Sequence, residues 1–534
     1  MDREARKHGE TGAPPRGRIA AALIAHHRFI LGVLLLVAFV AVRLVHIEAD
    51  PPMRLPNNAR VYELFTDPPA KSYEARNWAL FGQWATSPVD NYQFWRLQAP
   101  VWVYSIAGFY RLFGVGYLQL RVFSTLCAAT GLVAMLALGA RRLRGWPFFI
   151  AGAFLTFNFY YIVYARSGLL EALLNTFVIL TILCLHRAQR RLVWLMGAQW
   201  ALLLAFLTKQ TGIYLLPLAL VAGVIAYRKQ VRAGVPRWLR IAPLAQGAVI
   251  VAFLGFYVLR PAYLRTVTWN YGHMLFDKGA IDHVEIGKLP LGAALDRLRA
   301  GATWDTGFFS LFPVAGLLAL LEILRVIRRA FARRFDAWEL LVAGWLASGL
   351  GVLLLTPFLW VHYRLILFPP VMLLSASLLH ATFRDRWMQR NTWLIHIVSI
   401  GALSLELVVQ ARWIDSLFRN PVHAMREGTR LIRAHAGNEG AAFAGMWSGP
   451  LVFDTKHKYY YIKDIFNTRG EVIGKLGITH IFDMERTDMV NGLLWQTHPG
   501  AMSARQHLVQ FDLRGHTVHV FKFDTPPSDE TLNP

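Results

Sequence analysis

The sequence predicts an α-helical polytopic membrane protein with a small extracytoplasmic α/β domain at its C-terminus. Two observations predict this fold class. Of the 534 residues 55% are hydrophobic and only 17% are charged, whereas about a quarter of the residues in soluble domains are charged. The formal net charge of +23 falls almost entirely within the first 410 residues, in short clusters between apolar runs. Such clusters are typical of membrane helices oriented by basic loops, and not of nucleic-acid binding.

A membrane-spanning helix needs about 20 largely apolar residues, and eleven runs approach this length. They are residues 27–46, 118–140, 147–164, 170–186, 192–208, 211–227, 241–259, 304–325, 338–357, 363–382 and 392–410. With the basic N-terminal tail, residues 1–28, in the cytoplasm, every basic cluster between the runs also lies there. The short aromatic run 100–113 is interpreted as an interfacial helix on the outer face. Residues 29–410 then form the membrane domain.

With the N-terminus in the cytoplasm, the segments after the first and seventh runs lie outside: the first outer segment, residues 47–99, and the second, residues 260–303. The odd number of crossings also places the C-terminal domain, residues 411–534, outside. The last segment predicts a helix over 422–436 and then several strands. The strand-like runs are 441–453, 458–466, 477–484, and a hairpin of 507–513 and 516–523 around Arg514-Gly515. The two cysteines, Cys127 and Cys184, both lie in apolar runs, so no disulfide framework is expected.

The first outer segment holds carboxylates among aromatic residues. Asp50 and Asp67 each precede two prolines, and Asp90 lies beside Asn91-Tyr92. A carboxylate held at a membrane surface in this way is a candidate general base. The alternative for Asp67 is that it caps a helix over about 69–82. Both interpretations stay open at this point.

Charged residues at the outer ends of the spans form a second set. Glu171 opens the fourth span, five residues after Arg166. An ionisable group in a membrane is costly and suggests function, although a helix N-terminus paired with Arg166 would also favour this carboxylate. Lys209 and Arg364 stand at the outer ends of the fifth and tenth spans. Each is a candidate for binding a lipid phosphate. The alternative is that its side chain only extends from the helix end to the membrane interface.

The second outer segment contains residues that could bind a metal ion. Its metal-ligand types are His273, Asp277, Asp282, His283 and Glu285. Their spacing matches no sharp metal template, so a divalent ion at His273 and His283 competes with a solvated loop. Two carboxylates within spans, Glu322 and Glu406, are expected to serve helix packing. No other cofactor is indicated.

Several short motifs follow one another over about residues 30–380. They are Arg43-Leu44, Asp67 to Gly82 with Ala75-Arg76-Asn77-Trp78, Gln98-Ala99-Pro100, Arg121-Val122-Phe123-Ser124, Ala165-Arg166 with Glu171, Leu207-Thr208-Lys209, and Tyr363-Arg364. Together they resemble the GT-C superfold of membrane glycosyltransferases. Within it, the chain looks like the branch of lipid A aminoarabinose transferases and protein O-mannosyltransferases.

The resemblance implies transfer of a sugar from an undecaprenyl- or dolichyl-phosphate donor to an acceptor hydroxyl outside the membrane, with inversion. Asp67 falls on the family's first-loop catalytic Asp, with Asp50 as a rival, and Glu171 falls where the family usually has Asp. The positions expected to hold the donor phosphate are Lys209, Arg364 and Arg166. The residues expected to bind substrate are Tyr73, Arg76, Asn77, Asp90, Tyr92 and Gln98.

Two departures put a metal or second-carboxylate role at this corner in doubt. Pro68 replaces a common Glu, and Gln98 stands where the family usually has Lys. The acceptor stays open among a glycolipid, a polysaccharide and a protein hydroxyl. The bacterial type of the Ala75 to Trp78 string favours an inner membrane with the active site facing the periplasm, and endoplasmic reticulum is the alternative.

Two other function classes compete with this interpretation. Transporters of lipid-linked saccharides tend to have inverted repeats and broken helices that meet near the bilayer midplane. In this sequence the polar residues gather in outer segments and helix ends, which favours catalysis at a surface. A non-catalytic envelope scaffold with the same fold is the third class.

Overall fold

The computed structural model of the chain describes residues 15–55, 63–87, 92–140, 146–267, 311–334, 336–355, 361–382, 392–445, 447–461, 475–484 and 498–524, with a few isolated positions between them. This part of the chain is mainly helical, with a small five-stranded sheet towards the C-terminus.

Each of the eleven predicted runs overlaps a helix or a pair of helices, and residues 304–310 and 356–357 of two runs lie outside the described part of the chain. Their bounds are Pro15–Leu44, Tyr117–Gly139, Trp146–Phe157 with Phe159–Arg166, Glu171–Ala188, Val193–Thr208, Gln210–Leu215 with Leu216–Arg232, Arg237–Val258, Pro313–Phe331, Ala337–Leu355, Val361–Leu367 with Phe368–Thr382, and Thr392–Arg419. Within the described residues, seven helices are long and apolar enough to cross a membrane, and an eighth if one bent pair is a single span. The chain is therefore an integral membrane protein. Its orientation, and eleven as the number of crossings, stay predictions.

The bent pair owes its 61° angle to Asn158, which lies between helices Trp146–Phe157 and Phe159–Arg166. The Asn158 side chain accepts a hydrogen bond from the Tyr161 amide at 3.0 Å and so caps the second helix. Its Nδ2 donates to the Leu311 carbonyl oxygen at 2.7 Å. One polar side chain thus ends one helix and begins the next.

Three helices follow in the first outer segment: Glu63–Phe81, Phe94–Gln98 and Pro100–Phe113. The helix predicted over 100–113 is confirmed. The prediction that Asp67 begins a helix at 69 is wrong, because the helix already starts at Glu63 and includes Pro68 and Pro69.

The turn around the two prolines is held from outside the helix. Pro68 and Pro69 cannot donate intrahelical hydrogen bonds to the preceding turn, and the C-terminal domain adds hydrogen bonds to other carbonyl oxygens of the same turn. Tyr461 Oη donates to the Thr66 carbonyl oxygen at 3.2 Å, and Tyr459 Oη donates to that of Pro69 at 3.1 Å. Asp67 is therefore inside a helix that another domain supports.

The predicted α/β domain is confirmed. Helix Ala424–Ala436 precedes strands β1 (Glu439–Ala444), β2 (Lys456–Tyr459), β3 (His480–Met484), β4 (Arg505–Asp512) and β5 (Thr517–Phe523). The strand order is β2-β1-β3-β5-β4. Strand β1 runs parallel to β2 and β3, whereas β5 is antiparallel to β3 and β4. The predicted hairpin is β4-β5.

Two strand predictions in this domain need correction. The strand predicted over 441–453 ends at Ala444, and a short helix, Ser448–Val452, follows it. Gly445 ends the strand because its φ of +105° lies in the left-handed region. Of the run predicted over 458–466, only the start is strand, within β2, and residues 462–474 lie outside the described part of the chain.

Buried polar contacts fix the C-terminal domain to the first outer segment. The fully buried Arg76 side chain donates to the carbonyl oxygens of Phe453, Thr455 and His457 at 3.0, 2.7 and 2.8 Å. Because Arg76 lies on the same helix as Asp67, this domain rests directly on the helix that carries the predicted base.

Candidate active site

Asp67, Lys71, Glu171 and Lys209 form a continuous network of charges. Lys71 Nζ lies 2.8 Å from Asp67 Oδ2 and 3.8 Å from Glu171 Oε1. Lys209 Nζ lies 2.5 Å from the same Glu171 oxygen. The Asp67 side chain is 31% exposed, whereas those of Lys71 and Glu171 are 5% and 2% exposed. Asp67 is thus the most exposed member of the network, ahead of Lys209 at 16%.

The four charged side chains of the network lie on three separate elements. Asp67 and Lys71 are four residues apart on helix Glu63–Phe81, and therefore share one face. Glu171 is the first residue of helix Glu171–Ala188. Lys209 lies between helix Val193–Thr208 and the 3-10 turn Gln210–Leu215.

Gly212 makes the position of Lys209 possible. The 3-10 turn folds back on the preceding helix so closely that a Cβ at Gly212 would lie 2.6 Å from the carbonyl carbon of Ala205. A larger residue there must displace the turn that begins next to Lys209.

A second layer lies behind Glu171. His362 Nε2 is 3.7 Å from Glu171 Oε1, and His362 Nδ1 is 3.9 Å from Glu63 Oε1. Glu63 Oε1 also accepts a hydrogen bond from Tyr164 Oη at 3.2 Å. Among the residues that the structure describes, the second carboxylate oxygens of Glu63 and Glu171 are buried and have no hydrogen-bond partner. Buried polar atoms without a partner are uncommon in folded proteins, and each calls for an explanation.

Lys71 keeps its charge in this setting. Burial disfavours the ammonium form, but the nearby carboxylates of Asp67 and Glu171 outweigh burial and raise the pKa of Lys71 above its ordinary value. A buried set of charges adds little net stability. A gain in net stability therefore does not account for the network.

The predicted phosphate-binding residues do not all reach this network. Lys209 belongs to it, and its Nζ lies 3.9 Å from the ring centroid of Tyr363. Arg364 follows Tyr363 in the 3-10 turn Val361–Leu367. A cavity of about 10 Å³, room for roughly one water molecule, is lined by the polar side chains of Glu171, Lys209, Thr211, His362 and Tyr363 and by four apolar ones. A larger ligand requires these side chains to move.

Arg166 lies elsewhere. Its guanidinium donates to the carbonyl oxygens of Val45, at 2.8 Å, and His46. The ion pair expected between Arg166 and Glu171 is not formed, because Gly168, with φ +80°, redirects the chain between them and Glu171 pairs with the two lysines instead. Arg121 contacts the same segment, donating to Ala49 O at 2.8 Å.

Four predicted substrate-binding residues are brought together. Tyr73 Oη donates to Asp90 Oδ2 at 2.8 Å, and the Tyr92 amide donates to Asp90 Oδ1 at 3.2 Å. Asn77 Nδ2 donates to Thr86 Oγ1 at 3.0 Å. All four side chains are buried, and burial raises the pKa of Tyr73 well above its ordinary value. Their contacts support the fold around the site, and their role in binding stays a prediction.

The two remaining substrate-binding predictions also have internal contacts. Arg76 bonds to the C-terminal domain as described above, and Gln98 Nε2 donates to the Thr266 carbonyl oxygen at 3.1 Å. Thr266 lies at the start of the second outer segment. Gln98 thus joins the two outer segments, and its role in binding also stays a prediction.

Asp50, the rival base, caps a helix. Its Oδ2 accepts a hydrogen bond from the Met425 amide at 3.2 Å, at the start of helix Ala424–Ala436. It also lines a cleft of about 560 Å³ with Arg121 and residues of that helix. This cleft contains no member of the charge network.

Metal binding at His273 and His283 concerns residues outside the described part of the chain. Within the described ranges, no group of three or more His, Cys, Asp or Glu side chains is placed to hold a metal ion.

The carboxylate of Glu406 joins two helices. Its Oε2 accepts a hydrogen bond from the Val314 amide at 2.9 Å, at the start of helix Pro313–Phe331. Glu322 pairs with Arg325 at 2.6 Å.

The sequence interpretation missed Lys71, Glu63 and His362. A signal was present, because Glu63, Asp67 and Lys71 follow an i, i+4, i+8 spacing that places them on one helix face. It was hidden by the expectation that the helix begins after the prolines. His362 directly precedes the Tyr363-Arg364 motif.

The structure is thus that of an integral membrane protein in which a network of charges lies where helix ends meet a small α/β domain. Comparisons with known proteins identify its fold. A family model described as dolichyl-phosphate-mannose-protein mannosyltransferase matches residues 97–258. No curated protein sequence matches the chain.

Solved structures are similar over most of the chain. ArnT from Cupriavidus metallidurans matches in its apo state with a TM-score of 0.57 and 15% identity. Its structure bound to undecaprenyl phosphate matches with a TM-score of 0.58 and 14% identity. Both matches cover 94% of this chain and 99% of ArnT.

A more distant similarity is to the oligosaccharyltransferase of Archaeoglobus fulgidus, solved with a tethered acceptor peptide containing the NVT sequon. Its TM-score is 0.52 at 11% identity, covering 86% of this chain and 69% of that protein. These similarities confirm the GT-C fold that the sequence motifs implied.

Proposed function

We propose that the chain is a membrane glycosyltransferase that moves a sugar from a polyprenyl-phosphate donor to an acceptor hydroxyl, with Asp67 as the general base. The observation that carries this proposal is the Asp67-Lys71-Glu171-Lys209 network, in which one partly exposed carboxylate meets buried cations. The similar fold of ArnT, solved with undecaprenyl phosphate, supports a lipid-phosphate donor.

In the proposed reaction the acceptor oxygen attacks the anomeric carbon of the donor sugar. The new C–O bond forms as the bond from that carbon to the phosphate oxygen breaks, and the electron pair leaves with the phosphate. Asp67 takes the proton of the acceptor hydroxyl. Attack from the side opposite the leaving phosphate inverts the anomeric carbon.

The cations serve the leaving group. As the bond breaks, negative charge grows on the lipid phosphate, and fixed cations in a site of low polarity stabilise such charge strongly. We assign this role to Lys209, which lines the cavity together with Tyr363, and to Arg364, which follows Tyr363 in the 3-10 turn Val361–Leu367. Arg166 bonds to the main chain after the first helix, so the proposal gives it a structural role.

Glu171 and Lys71 hold the reacting groups in place. Glu171 contacts both lysines and so sets the distance between the base and the phosphate-binding cation. Lys71 keeps its proton and fixes the Asp67 carboxylate in one position. The proposal places this site on the outer face of a bacterial inner membrane, in agreement with the charge bias of the predicted loops.

The test is donor turnover by the purified protein in lipid. A panel of undecaprenyl- and dolichyl-phosphate sugars is offered with mixed lipid, glycan and peptide acceptors, and mass spectrometry follows donor loss and product. Wild type should consume at least one donor, and Asp67→Asn should not. Asp415→Asn, an exposed carboxylate in an i, i+4 pair with Arg419, is the matched control and should behave as wild type. Equal turnover by all three proteins, or none by wild type, contradicts the proposal.

A further inference from the structure

A pair of histidines lies on the hairpin of the C-terminal domain. His507 is on β4 and His519 is on β5. The two side chains are at least partly exposed, and His507 Nε2 lies 3.3 Å from His519 Nδ1. Neither residue belongs to the charge network around Asp67.

The register of the hairpin creates this pair. His507 lies opposite Phe521, and Gln510 lies opposite His519, because a bulge between His507 and Val509 shifts the pairing. Side chains opposite one another, or two apart on a strand, share a face of the sheet. His507 and His519 therefore project from the same face as Phe521.

Phe521 holds both imidazole rings. Its ring centroid is 5.2 Å from that of His507 and 6.1 Å from that of His519. The turn that joins the strands is closed by a hydrogen bond from the Gly515 amide to Asp512 Oδ1 at 3.0 Å. The two nitrogens are thus presented by a constrained hairpin.

The two nitrogens are within hydrogen-bonding distance of one another, and the same separation also fits a shared metal ion. Two imidazole nitrogens, each about 2.05 Å from one tetrahedral ion, are about 3.3 Å apart. The observed 3.3 Å equals that span.

We propose that His507 Nε2 and His519 Nδ1 bind one divalent transition-metal ion, of the Zn²⁺, Cu²⁺ or Ni²⁺ type that imidazole prefers. Two ligands come from the protein, one from each strand of the hairpin. The other coordination positions are open to water or to an external ligand. Binding requires each of these two nitrogens to offer its lone pair, so the ring proton resides on the other nitrogen.

The ion would tie β4, the edge strand, to β5. A ligand that binds the folded state stabilises it in proportion to the logarithm of its concentration over Kd. The site lies at the far edge of the sheet from β1 and β2, and it does not depend on the glycosyltransferase proposal.

The test titrates Zn²⁺ into the full chain in detergent, followed by calorimetry, for wild type, His507→Phe, His519→Phe and His435→Phe. Phenylalanine keeps a ring above Phe521. His435 is the matched control, since it is exposed in the same domain and its Nδ1 contacts the Leu431 carbonyl oxygen instead. Wild type and His435→Phe should bind the ion, and each of the other two variants should bind it at least about tenfold more weakly.

Equal Zn²⁺ affinity and stoichiometry in all four proteins would overturn the proposal, as would no binding by wild type. A second measurement covers the case in which the Phe variants fail to fold. With one equivalent of Cu²⁺, the electron paramagnetic resonance spectrum of wild type should show two coordinated imidazole nitrogens. A single coordinated nitrogen would overturn the shared site.

Discussion

Lys71 connects the two carboxylates on which the proposed chemistry depends. It is buried, it lies 2.8 Å from Asp67, and it shares Glu171 with Lys209. Removing one partner of a buried charge set leaves the others uncompensated, which costs several kcal/mol. Its position between two helices makes it the residue whose loss affects both stability and turnover.

We therefore expect Lys71→Met to lower the free energy of unfolding by about 3 kcal/mol and donor turnover by at least about tenfold, because Asp67 loses the contact that orients it. Denaturant unfolding and product formation measure the two effects. Lys456→Met is the control, since Lys456 is 71% exposed and pairs with Glu439 at 3.7 Å. A Lys71 variant as stable and active as the control would contradict the assigned role.

A second residue-scale prediction concerns pH. Burial, which outweighs the hydrogen bond and charge of Arg96, raises the pKa of Glu74 from its ordinary 4.5 to about 8. Between these two values the folded state binds a proton that the unfolded state has lost, so stability falls as pH rises. We expect the thermal unfolding temperature to fall across this window, and Glu74→Gln to flatten the dependence.

The control for this prediction is Glu439→Gln, because the Glu439 side chain is 69% exposed. It should keep the wild-type slope of unfolding temperature against pH. If Glu74→Gln kept that slope too, Glu74 would not be the group that titrates.

At the scale of elements, a substitution at the start of helix Ala424–Ala436 distinguishes between the two candidate bases, Asp50 and Asp67. Asp50 bonds to the Met425 amide at its start, and loss of such a cap costs about 1 kcal/mol. We expect Asp50→Ala to lower the unfolding temperature by a few degrees and to leave donor turnover per folded molecule unchanged. Turnover lost in Asp50→Ala at normal donor affinity would instead make Asp50 the base.

The sequence predicted the bounds of some helices and strands more accurately than those of others. The predicted apolar runs located the membrane helices, because bilayer thickness alone requires long apolar runs. Their ends were less accurate: the first helix begins at Pro15 and not at 27, and the last ends at Arg419 and not at 410. The hairpin β4-β5 followed from local signals at Arg514-Gly515. The start of helix Glu63–Phe81 could not be predicted from local signals. The turn that contains Pro68 and Pro69 is hydrogen-bonded by Tyr459 and Tyr461, which lie almost 400 residues away. No local pattern contains that contact.

At the scale of the whole molecule, long-range contacts also limited how much of the site could be predicted from the sequence. Asp67, Glu171 and Lys209 were each singled out from the sequence, since each is a charge at a predicted helix end. Their meeting through Lys71 depends on how three distant elements pack. Arg166 shows the reverse case, because its place near Glu171 in sequence suggested an ion pair that the chain direction after Gly168 prevents.

The C-terminal domain should depend on Arg76 for its attachment. Arg76→Met leaves several buried carbonyl oxygens without their donor, each costing about 1–3 kcal/mol. We expect limited proteolysis to release a C-terminal fragment faster from this variant than from wild type. Arg430→Met, which removes an exposed pair with Glu427, is the control. Equal cleavage rates in both variants would show that Arg76 is not the anchor.

The measurement that tests the central claim most directly separates donor binding from chemistry in Asp67→Asn. Binding of undecaprenyl phosphate and turnover of the sugar-linked donor are measured on the same preparation in lipid. If Asp67 is the base, binding stays at the wild-type level while turnover falls by about 100-fold or more. Turnover close to wild type, or a loss of turnover fully explained by lost binding, would contradict the account.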